Sequence, residues 1–229
     1  MSWEKEKELF YNLIIENDII GFFKEPLKLK SGRLSYWYVN WRNISEDIFL
    51  LDKLTDYIIS FVQSLGLKPD CFYGVPEGAT KLGIITQYKW AKKQLDYNKG
   101  VYSLSMGRAK PKQHGDPKDK YYLGFPKGEI IVLEDTLTTG GSLIETIDNL
   151  LSFKVKIIAV IGLTDRNEIR DDGKSVEEAI KEKNVQFYAM SNAIELLPRA
   201  YQKIKPGIEI AKNIEKYFKK YGIHEIQLV

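Results

Sequence analysis

Ile130-Ile131-Val132-Leu133-Glu134-Asp135-Thr136-Leu137-Thr138-Thr139-Gly140-Gly141-Ser142-Leu143 is the segment whose reading decides the fold. Four consecutive aliphatic residues read as a strand buried on both faces, with two adjacent carboxylates at its end. Small hydroxyl and glycine residues follow, and helical spacing of apolar residues resumes from Ser142. The order is strand, loop, helix. A loop of Thr138, Thr139, Gly140, Gly141 and Ser142 at a helix N-terminus offers unpaired N–H groups, hydroxyl donors and the positive end of a helix dipole, which together hold a phosphate monoester. Glu134 and Asp135 would repel bare phosphate oxygens but suit sugar hydroxyls or a hydrated magnesium ion. A sugar phosphate satisfies both halves of the segment.

Two other phosphate-binding designs do not fit. A Walker A loop needs a lysine before its Ser/Thr, which this loop lacks, and no Gly-x-Gly-x-x-Gly fingerprint occurs. With 229 residues, 44% hydrophobic and 28% charged, the composition is that of one ordinary globular domain. The 34 basic and 31 acidic residues leave a net charge of +3, so no global field favours nucleic acid or a membrane surface. Cys71 is the single cysteine, which rules out an intramolecular disulfide, fits a reducing compartment, and sits in an apolar strand where inert burial is expected. The charged start, Trp3-Glu4-Lys5-Glu6-Lys7-Glu8, lacks the apolar core of a signal peptide, and no apolar run approaches the ~18 residues of a membrane span. A cytoplasmic protein is expected, with no structural metal, since no zinc-spaced His/Cys cluster occurs.

Leu9, Phe10, Leu13 and Ile14 give an amphipathic helix over 3–16. Leu27 to Asn40 alternates as a hairpin turning at Ser31-Gly32, with Lys30 and Arg33 flanking the turn. A long helix is predicted over 45–65, where Ile48, Phe49, Leu54, Ile58, Ile59 and Val62 recur. A buried strand from Cys71 to Val75 leads through Pro76-Glu77-Gly78-Ala79 into a helix reaching about Gln94. Val101 to Met106 reads as the next strand. Gly107 to Lys120 then carries five Lys or Arg, two prolines and no apolar periodicity, the composition of a mobile basic loop able to close over a polyanion. Beyond the central segment, a helix over 142–153, a strand over 155–163, a helix over 174–183, a strand over 185–189 and a short helix over 192–198 follow. A helix over 206–221 and a strand-like end over 223–229 complete the chain. Alternating strands and helices with chemistry at strand ends specify an α/β doubly wound parallel sheet, with a small hood from residues 1–44 over its carboxyl edge and an extra C-terminal helical part over 206–229.

The Ile130–Leu143 segment resembles the signature of the type I phosphoribosyltransferases, which bind 5-phosphoribosyl 1-diphosphate. Three further features are similar to the orotate phosphoribosyltransferases among them: the Lys30 hairpin with its Ser31-Gly32 turn, the loop order Arg108, Lys112, His114, Gly115, and Arg166 at the end of a strand. The resemblance covers about Leu27 to Pro198. It implies transfer of a phosphoribosyl group to orotate, with magnesium carried by the diphosphate and a homodimer whose basic loop reaches into the neighbouring site.

By that resemblance, the 5′-phosphate loop runs through Thr136, Leu137, Thr138, Thr139, Gly140, Gly141 and Ser142, and Glu134 and Asp135 take the ribose hydroxyls. Asp135, Lys112 and His114 are the candidate catalytic groups. Lys30, Arg108, Ala109, Lys112 and His114 surround the pyrophosphate, which the Pro76-Glu77 loop also cradles; Tyr38 and Val39 cover the base, and Arg166 holds its carboxylate. Two positions depart from the pattern. Ala109 stands where a second lysine is often found, and Pro76 and Glu77 replace an aromatic and a lysine, so backbone amides are expected to carry that loop's role. Two alternatives stay open: a purine-base phosphoribosyltransferase, for which Arg166 is irrelevant, and a non-catalytic regulator that senses phosphoribosyl diphosphate.

Overall fold

The computed structural model describes residues 3–229. Its centre is a four-stranded parallel sheet in the order β3 (Cys71–Gly74), β6 (Glu129–Leu137), β7 (Lys156–Asp165), β8 (Gln186–Asn192). Side chains alternate across each strand, and the two faces enter different cores. Phe72, Ile131, Leu133, Ala159, Ile161 and Leu163 face one hydrophobic cluster, while Cys71, Tyr73, Ile130, Val132, Ile157 and Val160 face the other. Into the first pack α1 (Trp3–Glu16), α3 (Ile48–Ser64), α4 (Thr80–Lys92), α8 (Ala193–Ile204) and α9 (Ile208–Tyr221); into the second pack α6 (Gly141–Ser152) and α7 (Val176–Lys181). Helices on both faces explain why these strands read as continuous apolar runs.

After α4, residues 101–107 run along the outer side of β3, where the Ser103 carbonyl accepts from the Cys71 thiol and from Gln87 Nε2. The chain then returns to the other side of β3 as β6. The direction of winding therefore reverses between β3 and β6, and a crevice opens where their carboxyl ends diverge. Across that crevice stands the hood, an antiparallel hairpin of β1 (Ile20–Lys28) and β2 (Leu34–Val39), followed by the short α2 (Arg42–Ser45). Gly32, at a φ of 83°, makes the turn, as Ser31-Gly32 suggests.

Several local expectations are corrected. Val101 to Met106 is not a strand: only Met106–Gly107 (β4) pairs, with Tyr122–Leu123 (β5), because side chains rather than a neighbouring strand satisfy the Ser103 carbonyl. The basic loop between β4 and β5 contains a short helix, α5 (Pro117–Tyr121), capped by the Asp116 side chain. α3 starts at Ile48, after the Asp47 cap, and leaves Ile48 and Phe49 exposed. α8 runs through Pro198 to Ile204 because Leu196, Leu197 and Ala200 bury a continuous face. Residues 223–229 form no strand; Ile223 is held by a single hydrogen bond to the Asn167 carbonyl. Cys71 is buried as expected, and burial pushes its thiol up to about 11, leaving it inert.

Candidate active site

A cavity of about 370 Å³ fills the crevice. Its floor is the N-terminus of α6. Gly140 adopts a left-handed φ of 66° to turn the chain from β6 into the helix, and no side chain caps the first turn, so its N–H groups remain available to an anion. Thr138, Thr139, Gly140, Gly141 and Ser142 all line the cavity. Thr136 Oγ1 and Ser31 Oγ, on two further lining residues, are buried without a hydrogen-bond partner. Buried hydroxyls left unpaired are costly, and a polar ligand in this cavity would satisfy them.

Glu134 and Asp135 stand on one wall. Burial, added to the adjacent Asp135 carboxylate, pushes Glu134 well above the usual carboxylate range, while the Lys30 ammonium opposes the shift. Burial and the neighbouring carboxylate thus disfavour the charged form of Glu134. Facing it is the β3–α4 loop, where Pro76, Glu77 and Gly78 line the cavity and the Pro76–Glu77 peptide bond is cis. A Cβ on Gly78 would collide with the Asp135 carboxylate, so only glycine permits this approach of loop to acid.

The hood closes the other side. Lys30 Nζ donates to Ser142 Oγ at 2.7 Å, while Tyr38 and Val39 form a wall above. Arg166, only 1% exposed, closes the inner end, its guanidinium carbon 3.8 Å from the Trp37 ring centroid. Nε donates to Glu168 Oε1 at 2.7 Å, making a buried ion pair rather than a surface one.

Fourteen of the residues singled out from sequence thus meet in one cavity: Lys30, Tyr38, Val39, Pro76, Glu77, Glu134, Asp135, Thr136, Thr138, Thr139, Gly140, Gly141, Ser142 and Arg166. Five do not. Leu137 is 1% exposed and packs in the second core, away from the cavity. Arg108, Ala109, Lys112 and His114 lie on the β4–β5 loop, outside the cavity lining. That loop is tied to itself, Arg108 Nε donating to the Asp119 carbonyl and the Lys112 N–H to the Lys120 carbonyl. Leu29, Ser31, Asn40, Arg42 and Gly78 join the lining. Arg42 and Asn40 follow the aromatic strand with no motif to mark them; the serine and the glycine sit inside turns already noted. Among the described residues no cluster of three or more His, Cys, Asp or Glu could hold a metal ion.

An uncapped helix N-terminus ringed by hydroxyl residues, an acid pair beside it and a hood above it, set where a parallel sheet reverses its winding, are the architecture of a type I phosphoribosyltransferase. No family model matches the chain. It is 30% identical over 196 residues, covering 81% of this chain and 94% of the relative, to the orotate phosphoribosyltransferase of Rhodopseudomonas palustris (strain BisB5). With that of Thermococcus gammatolerans it shares 28% identity over 171 residues, 75% of this chain and 82% of the relative. The crystal structure of the Francisella tularensis orotate phosphoribosyltransferase superposes with a TM-score of 0.67 at 22% identity, covering 93% of this chain and 99% of that one. The chain belongs to the orotate phosphoribosyltransferase family.

Proposed function

We propose that the chain transfers a phosphoribosyl group from 5-phosphoribosyl 1-diphosphate to orotate, giving orotidine 5′-phosphate and pyrophosphate in pyrimidine biosynthesis. The observation that carries this reading is the convergence of the uncapped α6 N-terminus, the Glu134–Asp135 pair and Arg166 on one cavity beneath the hood. The distances between these groups follow from the order of the sheet, and the chemistry follows from their charges.

The 5′-phosphate sits on the N–H groups of Gly141 and Ser142 with the hydroxyls of Thr138, Thr139 and Ser142 around it. Glu134 and Asp135 accept hydrogen bonds from the ribose 2′- and 3′-hydroxyls, which fixes the anomeric carbon toward the hood. The C1–O bond to the diphosphate breaks, its electron pair leaving with pyrophosphate, as orotate N1 bonds to C1 and the N1–H proton passes to the departing pyrophosphate. Positive charge grows on the ribose and negative charge on the leaving group, so catalysis is mostly electrostatic positioning. Lys30 meets the leaving group from the hood, and the amides of the Pro76–Gly78 turn meet it from below. Magnesium, brought by the diphosphate, supplies further charge neutralisation there.

Arg108, Lys112 and His114 reach a site only when the β4–β5 loop moves, and we assign them to the site of a second subunit in a homodimer. The exposure of Lys112 and His114, and the place of all three outside this subunit's cavity, support that assignment. Among the described residues no helix is long and apolar enough to cross a membrane; we place the enzyme in the cytoplasm, with no nucleic-acid partner.

The test is a spectrophotometric assay of orotate loss with phosphoribosyl diphosphate and magnesium. Consumption of orotate at the expense of diphosphate is expected. Consumption of adenine or hypoxanthine with orotate untouched would transfer the assignment to the purine-base enzymes.

A further inference from the structure

Glu168 lies three residues beyond the strand that ends at Asp165, is wholly buried, and binds three side chains from three parts of the chain. Its Oε1 accepts from Arg166 Nε at 2.7 Å; its Oε2 accepts from Arg33 Nη1 at 2.9 Å and from the Tyr217 hydroxyl at 2.8 Å. Arg33 comes from the hood turn and Tyr217 from α9. The α9 helix lies outside the Leu27–Pro198 stretch that carries the family resemblance, yet its end grips this segment. Tyr221 and Asn167 exchange backbone hydrogen bonds with their neighbours across the gap, Ile169 N–H to the Tyr221 carbonyl and Ile223 N–H to the Asn167 carbonyl. Phe218 stacks on Trp37 with ring centroids 6.1 Å apart, and the Arg33 guanidinium lies 4.7 Å from the Tyr221 ring centroid.

The consequence falls on Arg166. A guanidinium carries five N–H donors. Nε is taken by Glu168, one Nη2 proton by Ser35 Oγ at 3.0 Å and one Nη1 proton by the Trp37 carbonyl at 3.5 Å. Two donors are left, one on each Nη, the number that a carboxylate accepts in a fork. Ring stacking on Trp37 fixes the plane, and Glu168 fixes the rotation within that plane.

We propose that Glu168, itself oriented by the Tyr217 hydroxyl, is a positioning residue for base recognition, and that α9 acts through it to hold the two free donors of Arg166 toward the carboxylate of the incoming pyrimidine. The proposal rests on the reading of Arg166 as the carboxylate's partner. Arg33, on the other oxygen, couples the hood to the same group, so that hood, strand end and C-terminal helix share one buried anion. Removing the anion leaves two buried arginines without their common partner.

The test compares Tyr217→Phe, which removes one hydroxyl and keeps the packing, with Glu168→Gln. Losing a hydrogen bond to a charged group is expected to raise the KM for orotate about tenfold in Tyr217→Phe, and further in Glu168→Gln. The KM for phosphoribosyl diphosphate should move by no more than about twofold, a split that loss of stability alone does not produce. An unmoved orotate KM in folded Tyr217→Phe, or an equal rise in both constants, overturns the proposal, and this holds even if Glu168→Gln fails to fold. An unsubstituted chain that consumes no orotate removes the reading of Arg166 and this proposal together, whereas normal turnover with an unmoved KM removes the proposal alone.

Discussion

Lys30 Nζ stands 2.7 Å from Ser142 Oγ, joining the tip of the hood to the first turn of α6 across 112 residues of sequence. The contact spans the cavity, tying the hairpin to the wall formed by the α6 N-terminus. It also places an ammonium at the mouth of the uncapped α6 N-terminus.

Lys30→Ala should therefore slow turnover rather than unfold the chain. The lysine is exposed, so its loss leaves no buried group unpaired. A fall of roughly 10²-fold in kcat/KM for phosphoribosyl diphosphate is expected, with the melting temperature nearly unchanged. Steady-state kinetics alongside a thermal melt would decide it, and full activity would remove Lys30 from the mechanism.

Gly78→Ala introduces a methyl group where the Asp135 carboxylate already lies. Loop or acid must give way, and the ribose hydroxyls lose an aligned acceptor. Turnover is expected to drop by about 10-fold or more, since a displacement near 1 Å is enough to misalign reacting atoms. Wild-type kinetics in this variant would show that the loop and Asp135 move independently.

For Arg166→Ala, the free energy of orotate binding should weaken by about 2 to 4 kcal/mol, as when one member of a hydrogen-bonded charge pair is truncated. Stability should fall too, because Glu168 loses one of its two arginine partners in the core. Calorimetric titration with orotate separates the two effects; unaltered orotate binding defeats the assignment.

The loop and the dimer are tested together. Lys112 is exposed and lines no part of its own subunit's cavity. Lys112→Ala is expected to lose orders of magnitude in turnover while melting like the wild type. Refolding it together with Arg166→Ala chains, assayed at orotate concentrations too low for the latter to turn over alone, should restore activity, since a mixed dimer pairs one intact loop with one intact cavity. If the mixture stays dead, each loop serves its own subunit.

Asp165 gives a pH signature. Burial raises its carboxyl to about 6, although the Asn167 N–H bonded to it works in the opposite direction. A carboxyl raised above its unfolded value of about 3.9 contributes stability that is present below pH ~4 and lost as pH rises through ~6. Asp165→Asn removes that dependence. The stability difference between wild type and variant should shift by about 2 to 3 kcal/mol in the variant's favour from pH 4 to pH 7, measured by denaturant unfolding. Parallel profiles would show that Asp165 titrates normally.

The chain's own order of residues was enough for the sheet, the cup and most of the cavity. Ile130 to Ser142 carries its meaning locally: four aliphatic residues need a strand with both faces covered, and the acids, hydroxyls and glycines that follow must sit at its carboxyl end. The Ser31-Gly32 turn and the basic loop are local in the same sense, since turn chemistry and the lack of an apolar face act within a few residues. What the sequence left undecided depends on partners far away. Val101 to Ser105 looks like a strand by composition, but whether it pairs depends on Gln87 and Cys71 taking the Ser103 carbonyl. Leu137 belongs to the signature by position and to the second core by its packing. Only the tertiary structure revealed that Arg166 is anchored by Glu168, Ser35 and Trp37, and that α9 supplies Tyr217 to the same group. A buried ion is stable only where several chain segments converge to satisfy it, and that convergence is a property of the folded chain rather than of any stretch within it.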